Sequence, residues 1–184
     1  MLHLTKIMSV LGLLVVLPLP GSAQTCKTSS ISATTPTAQF ADNRNGTVTD
    51  TKTGLMWKRC SEGQLWDDVT SMCVSRYAYY SWQTALQRAQ DTNVRGGFAG
   101  LVGWRVPNSK ELGSLVEEQC YSPAINLAVF PGTPENGFFW SSSLHAGSGG
   151  GLRVDFGGRS DAIDGAVSKQ AGMLGGCPRI GLLI

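Results

Sequence analysis

NRNGTVTDTKTGLMWKRC, residues 43–60, packs two turn signals and two short alternating runs into one stretch. Asn43-Arg44-Asn45-Gly46, with Asp42 before it, is turn chemistry, because Asn and Asp tolerate left-handed backbone and Gly adopts it freely. Thr47-Val48-Thr49-Asp50 alternates with period two, as a half-buried strand does. Thr51-Lys52-Thr53-Gly54 turns the chain again, into Leu55-Met56-Trp57. Two short strands around Asn-Gly and Lys-Thr-Gly turns predict an antiparallel meander. A calcium loop starting at Asp42 is the competing reading. It fails at Arg44, which puts a cation where the third position needs an oxygen ligand.

Downstream of the meander, Cys60 and Cys73 enclose a polar stretch, SEGQLWDDVTSM, with little regular pattern. A helix follows. Ser81 caps it, and Trp82, Ala85, Leu86 and Ala89 fall at i, i+3, i+4 and i+7, so they are expected to be core. Arg95-Gly96-Gly97 ends it. After Trp104-Arg105-Val106-Pro107, Asn108 and Glu111 form a capping box for a second helix that buries Leu112, Leu115 and Val116. Beyond Cys120, Pro123, Pro131-Gly132 and Pro134-Glu135-Asn136-Gly137 mark a long loop region. Phe138–Ser143 and Leu152–Phe156 are strand candidates, joined across the GSGGG run at 147–151. Strands, two helices, loops, then strands predict an α+β domain of small antiparallel sheets with two flanking helices. Trp57 and Trp104 are expected in the core with Trp82, and Phe138 and Trp140 alternate as core residues would.

Upstream, residues 24–39 are rich in Ser, Thr and Ala with Pro36, a flexible or extended lead-in. Residues 1–23 have the layout of a secretory leader: Lys6, then an apolar run from Ile7 to Leu17, then Gly21-Ser22-Ala23, with the cut after Ala23. That run is well short of the roughly 20 residues a bilayer span requires. Thr25 before Cys26 does not suit a lipobox. The domain itself is assigned to residues 40–184.

The expected location is therefore secreted, periplasmic or cell-surface. Cleavage removes one of the 15 Lys+Arg and none of the 13 Asp+Glu, leaving 14 against 13. This balance excludes a polyelectrolyte field for nucleic acid. All five cysteines follow the leader, so an oxidising compartment predicts disulfides with one thiol left over. Cys60–Cys73 is the expected first bond. Cys120–Cys177 is the favoured second, leaving Cys26 free, although five choices of the odd cysteine times three pairings leave fifteen frameworks open. Zinc lacks a close CxxC pair, and His145 is the only histidine after the leader. No metal or other cofactor is expected.

NRNGTVTDTKTGLMWKRC, SWQTAL, GWRVPNSKEL, SPAINLAVFPGTP and FFWSSSLHAG occur in that order over about residues 40–156. Together they resemble the C-terminal domain family of Lcl, the bacterial collagen-like adhesin. No collagen-like Gly-X-Y tract is present. The resemblance implies a C-type-lectin-like fold in which a long loop region carries specificity, and an adhesion role toward a glycan or glycosaminoglycan. Two features depart from pattern. The tail GMLGGCPRIGLLI replaces a closing strand of VRLVR type. Calcium-dependent lectins of this fold use Glu-Pro-Asn or Gln-Pro-Asp with Trp-Asn-Asp, whereas this chain has Pro134-Glu135-Asn136 and no Trp-Asn-Asp.

Enzyme chemistry has little support. His145 has no companion Ser and Asp in a triad order. The carboxylates at Asp67-Asp68, Glu117-Glu118 and Asp161/Asp164 show nothing that would split their pKa values for glycoside hydrolysis. The oxidases of this fold carry a late-strand cysteine and metal signature absent here. Binding is better served. Ser141, Ser142, Ser143, His145 and Arg153 are the expected ligand-contacting rim, independent of calcium, because hydroxyls adapt their hydrogen bonds. Lys52, Lys58, Arg59 and Arg153 are the candidates for a basic stripe, but they read first as scattered surface charge. A glycan or host-surface polymer, a protein partner in an envelope or filament assembly, and a homo-oligomer are the partner classes this leaves.

Overall fold

A computed structural model of the chain describes residues 24–146 and 150–157. Among the described residues, nine strands and two α-helices run in the order β1 (Thr25–Cys26), β2 (Phe40–Asp42), β3 (Thr47–Asp50), β4 (Met56–Lys58), β5 (Leu65–Asp67), β6 (Met72–Val74), α1 (Trp82–Val94), α2 (Ser109–Gly113), β7 (Cys120–Tyr121), β8 (Phe138–Leu144) and β9 (Gly151–Asp155). The strands form four small antiparallel sheets: β1–β7, β2–β3–β4, β5–β6 and β8–β9. The class is α+β, as predicted.

The meander forms where residues 43–60 place it. Asp42 Oδ1 accepts from the Arg44 N–H, and Asn45 Oδ1 accepts from the Thr47 N–H and hydroxyl. Arg44 and Gly46 take positive φ, which tightens the turn. At the second turn the buried Asp50 carboxylate accepts from the Lys52 N–H at 2.9 Å and the Thr53 hydroxyl at 2.7 Å. Val48 pairs with Trp57 across β3 and β4, and both are buried. They join Phe40, Leu112, Leu115, Ile125, Phe130, Phe139 and Phe156 in one core. A second cluster of Ala89, Trp104 and Val106, with Met56, Leu86 and Phe98 against it, seats α1.

Both predicted caps are present. Ser81 Oγ accepts from the Thr84 N–H, and Asn108 and Glu111 form the reciprocal capping box. The second helix is short, five residues. Trp57 and Trp104 are core residues, whereas Trp82 is half-buried with its indole N–H donated to the Ser141 carbonyl at 2.8 Å. Phe139 and Trp140 are buried; Phe138, expected inside, is half-buried.

Three expectations change. Residues 24–39 are not a loose lead-in: β1 pairs with β7, Thr34 and Thr35 are tied to Glu117, and Thr37–Gln39 form a single 3-10 turn. Cys120 bonds Cys26, not Cys177, because the β1–β7 register sets Cys26 directly opposite Cys120. Cys177 lies outside the described residues. The Cys60–Cys73 bond forms as expected, but its loop is a regular hairpin of β5 and β6. The tail substitution after Phe156 and the carboxylates Asp161/Asp164 also lie outside the described residues.

Candidate functional site

The predicted rim of Ser141, Ser142, Ser143, His145 and Arg153 maps to the β8–β9 hairpin, whose loop residues 147–149 are outside the described residues. Ser141 is 0% exposed, a correction to its place on a rim. Its hydroxyl donates to the Leu152 carbonyl at 2.9 Å and accepts from the Ser143 N–H at 3.3 Å. A register shift between Trp140 and Leu144 breaks the strand's alternation, so Phe139, Trp140 and Ser141 are buried in succession. Ser142 and Ser143 are half-buried and tie the hairpin to α2: the Ser142 N–H donates to the Pro107 carbonyl, and Ser143 Oγ accepts from the Ser109 N–H. His145 is half-buried, and its backbone N–H donates to the Gly150 carbonyl. Arg153 lies across from Trp140 with its guanidinium 4.5 Å from the Phe138 ring centre. The expected residues share one hairpin, but the Ser141 hydroxyl bonds within it and Ser142 and Ser143 bond it to the 107–109 segment.

Two of the four candidates for a basic stripe are buried. Lys58 is buried and ion-paired to Glu62, whose other oxygen accepts from Arg88 Nε at 2.8 Å. Arg59 is buried too. It donates from Nε to the Val129 carbonyl and from Nη2 to the Ala128 carbonyl, and it stacks 4.1 Å from the Trp66 ring centre. These cations hold the meander to its neighbours. A sulfated polymer requires cations in solvent.

The Cys60–Cys73 hairpin carries the feature the sequence pass missed. Leu65 pairs with Val74 and Asp67 with Met72, so these four residues share one face. Trp66 pairs with Cys73 on the other face, where Trp66 packs on Arg59 and Gly46. The outward face is open: Leu65 is 65% exposed, Met72 49%, and Val69 at the tip 93%. Val74 and, a few residues on, Tyr79 are also exposed large hydrophobics. Tyr77 and Tyr79 meet edge to face at 5.3 Å. At the tip the Thr70 hydroxyl and Val69 N–H donate to Asp67 and hold its carboxyl below its ordinary value. The sequence signal was the pair LWD and MCV flanking an Asp-initiated turn.

An open groove of about 260 Å³, lined by Leu55, Met56, Leu101, Val102, Trp104 and Arg105, lies elsewhere. Arg105 on its lip is held by Glu111 through two hydrogen bonds of 2.8 and 2.7 Å. Among the described residues no group of three or more His, Cys, Asp or Glu could hold a metal ion. Among them, too, no helix is long and apolar enough to cross a membrane.

No curated protein and no solved structure matches the chain. The family model of the Lcl C-terminal domain matches residues 46–172. That span takes in the meander turn, the disulfide-closed ribbon, both capped helices and the β8–β9 hairpin. With more than half of its length inside the model, the chain belongs to the Lcl C-terminal domain family.

Proposed function

We propose that this chain is an exported, adhesion-type binding module of C-type-lectin-like organisation, not an enzyme, and that it grips a protein surface with the Cys60–Cys73 ribbon. One observation carries this reading. Leu65, Val69, Met72 and Val74 stand in solvent on a hairpin closed by a disulfide. Exposed aliphatics on one face mark an interaction site, and a pre-ordered ribbon loses little entropy on binding. Two disulfides suit an oxidising location outside the cytoplasm.

A glycan is the second reading, supported by the adhesin family and by the half-buried Ser142, Ser143 and His145 on the β8–β9 hairpin. After the predicted cut the chain carries 14 Lys+Arg against 13 Asp+Glu, so bulk charge favours neither heparin nor any other polyanion.

The test uses the oxidised protein on three probes: an array of extracellular-matrix proteins, a glycan array, and a heparin column with a salt gradient. The expected result is protein-array binding that persists in high salt and in chelator and is lost in Leu65→Ser/Val74→Ser. Heparin retention eluted by salt, with the double variant unchanged, would refute the ribbon and leave the glycan reading standing. Loss of binding in chelator would overturn calcium independence.

A further inference from the structure

Gln24 is the first residue after the predicted cut, so export would make it the amino-terminal residue of the mature chain. An amino-terminal glutamine is chemically unstable. Its α-amine attacks the side-chain Cδ, a C–N bond forms, the Cδ–Nε2 bond breaks, and ammonia leaves. The product is a five-membered lactam with no free amine. No oxidant or reductant takes part.

The fold opposes that reaction at the leaving group. Gln24 Nε2 donates to the Pro123 carbonyl at 2.7 Å and to the Ile125 carbonyl at 2.6 Å, which uses both hydrogens of its amide. Two residues later Cys26 is bonded to Cys120, and the Lys27 N–H donates to the Gln119 carbonyl at 2.8 Å. The side chain is therefore docked against the 123–125 segment by a strand that is itself covalently fixed.

We infer that Gln24 is a processing site whose new amino terminus is clamped, and that the clamp keeps the mature chain an open glutamine with a free amine. Cyclisation has to pull Nε2 away from both carbonyls before ammonia can leave. Two hydrogen bonds of ordinary net strength slow it by roughly tenfold or more. The clamp also closes the strap: losing the amide would remove the outermost tie between residues 24–26 and 120–125.

This rests on the export part of the proposed function and not on the ribbon. The full chain is expressed with its leader in an exporting host, and the released protein is examined by amino-terminal sequencing and intact mass. The expected terminus is Gln24 with a readable amine. The folded protein keeps its mass on long incubation, while the same protein reduced and held in urea becomes one ammonia lighter at least tenfold faster. Equal rates folded and unfolded would overturn the clamp. A released chain starting at another residue would overturn the placement of the cut while leaving export intact. A chain that never leaves the cytoplasm would sink the export reading itself.

Discussion

Glu117→Gln isolates the knot that holds the amino-terminal strap. Glu117 is only 3% exposed. Its Oε1 accepts from the Thr34 N–H at 2.9 Å, the Thr34 hydroxyl at 3.2 Å and the Gln119 N–H at 3.0 Å. Its Oε2 accepts from the Thr35 N–H at 2.8 Å and the Thr35 hydroxyl at 2.9 Å. Glutamine offers one carbonyl oxygen, so its NH₂ must face two or three of these donors. Hydrogen bonds to a charged acceptor contribute about 1.5–3 kcal/mol each, and a buried donor left unpaired costs about 1–3. Losing two of them places the effect at about 3–5 kcal/mol, or a fall in Tm of about 10 °C.

The pH response supplies a second readout. Burial pushes the Glu117 carboxyl up, but the Thr34, Thr35 and Gln119 N–H groups and the Thr35 hydroxyl outweigh it and leave it below its ordinary 4.5. A carboxylate lowered on folding stabilises above its unfolded value and loses that contribution as pH falls toward its folded value. Wild-type stability therefore declines below about pH 4.5, and the variant's curve lacks that portion. Urea unfolding across this range, on oxidised protein, measures both. A variant within about 0.5 kcal/mol of wild type at neutral pH would show that the strap is not held here.

Two further outcomes follow from covalent and steric facts. Non-reducing peptide mapping should recover Cys26–Cys120 and Cys60–Cys73. Cys60→Ser/Cys73→Ser should lose about 3 kcal/mol, against about 4–5 for Cys26→Ser/Cys120→Ser with its 94-residue separation. Gly151→Ala would place a methyl 2.1 Å from Trp82 Cδ1 and 2.2 Å from its Nε1, forcing the indole off the Ser141 carbonyl. Urea unfolding should report a loss of about 1–3 kcal/mol with a shifted tryptophan emission, and unchanged emission would count against that packing.

Local chemistry was readable in advance, and long-range partnership was not. Ser81, Asn108 and Glu111 satisfy donors within a few residues of themselves, so caps and helix starts were legible from spacing alone. The same holds for Asn45 and Asp50 in their turns. The Cys26–Cys120 bond was not legible, because it depends on a two-residue strand pairing across 94 positions. Lys58 and Arg59 looked like surface cations because Glu62, Arg88 and the Val129 carbonyl meet them only in the folded chain. Ser141 was misplaced by the bulge in β8, which no residue type announces. The ribbon went unseen because LWD and MCV are each only three residues long.

The nesting of the two disulfides constrains how the domain can be made. Cys60–Cys73 lies wholly within the loop that Cys26–Cys120 closes. A chain delivered amino end first presents Cys26 alone, then Cys60, then Cys73, and Cys120 only later. The earliest bond an oxidant can form is therefore Cys26 to Cys60, which the finished domain does not contain. Oxidation in order of appearance leads away from the native pairing, so maturation needs either an unoxidised Cys26 until β7 arrives or a catalyst that exchanges the first bond for the right one.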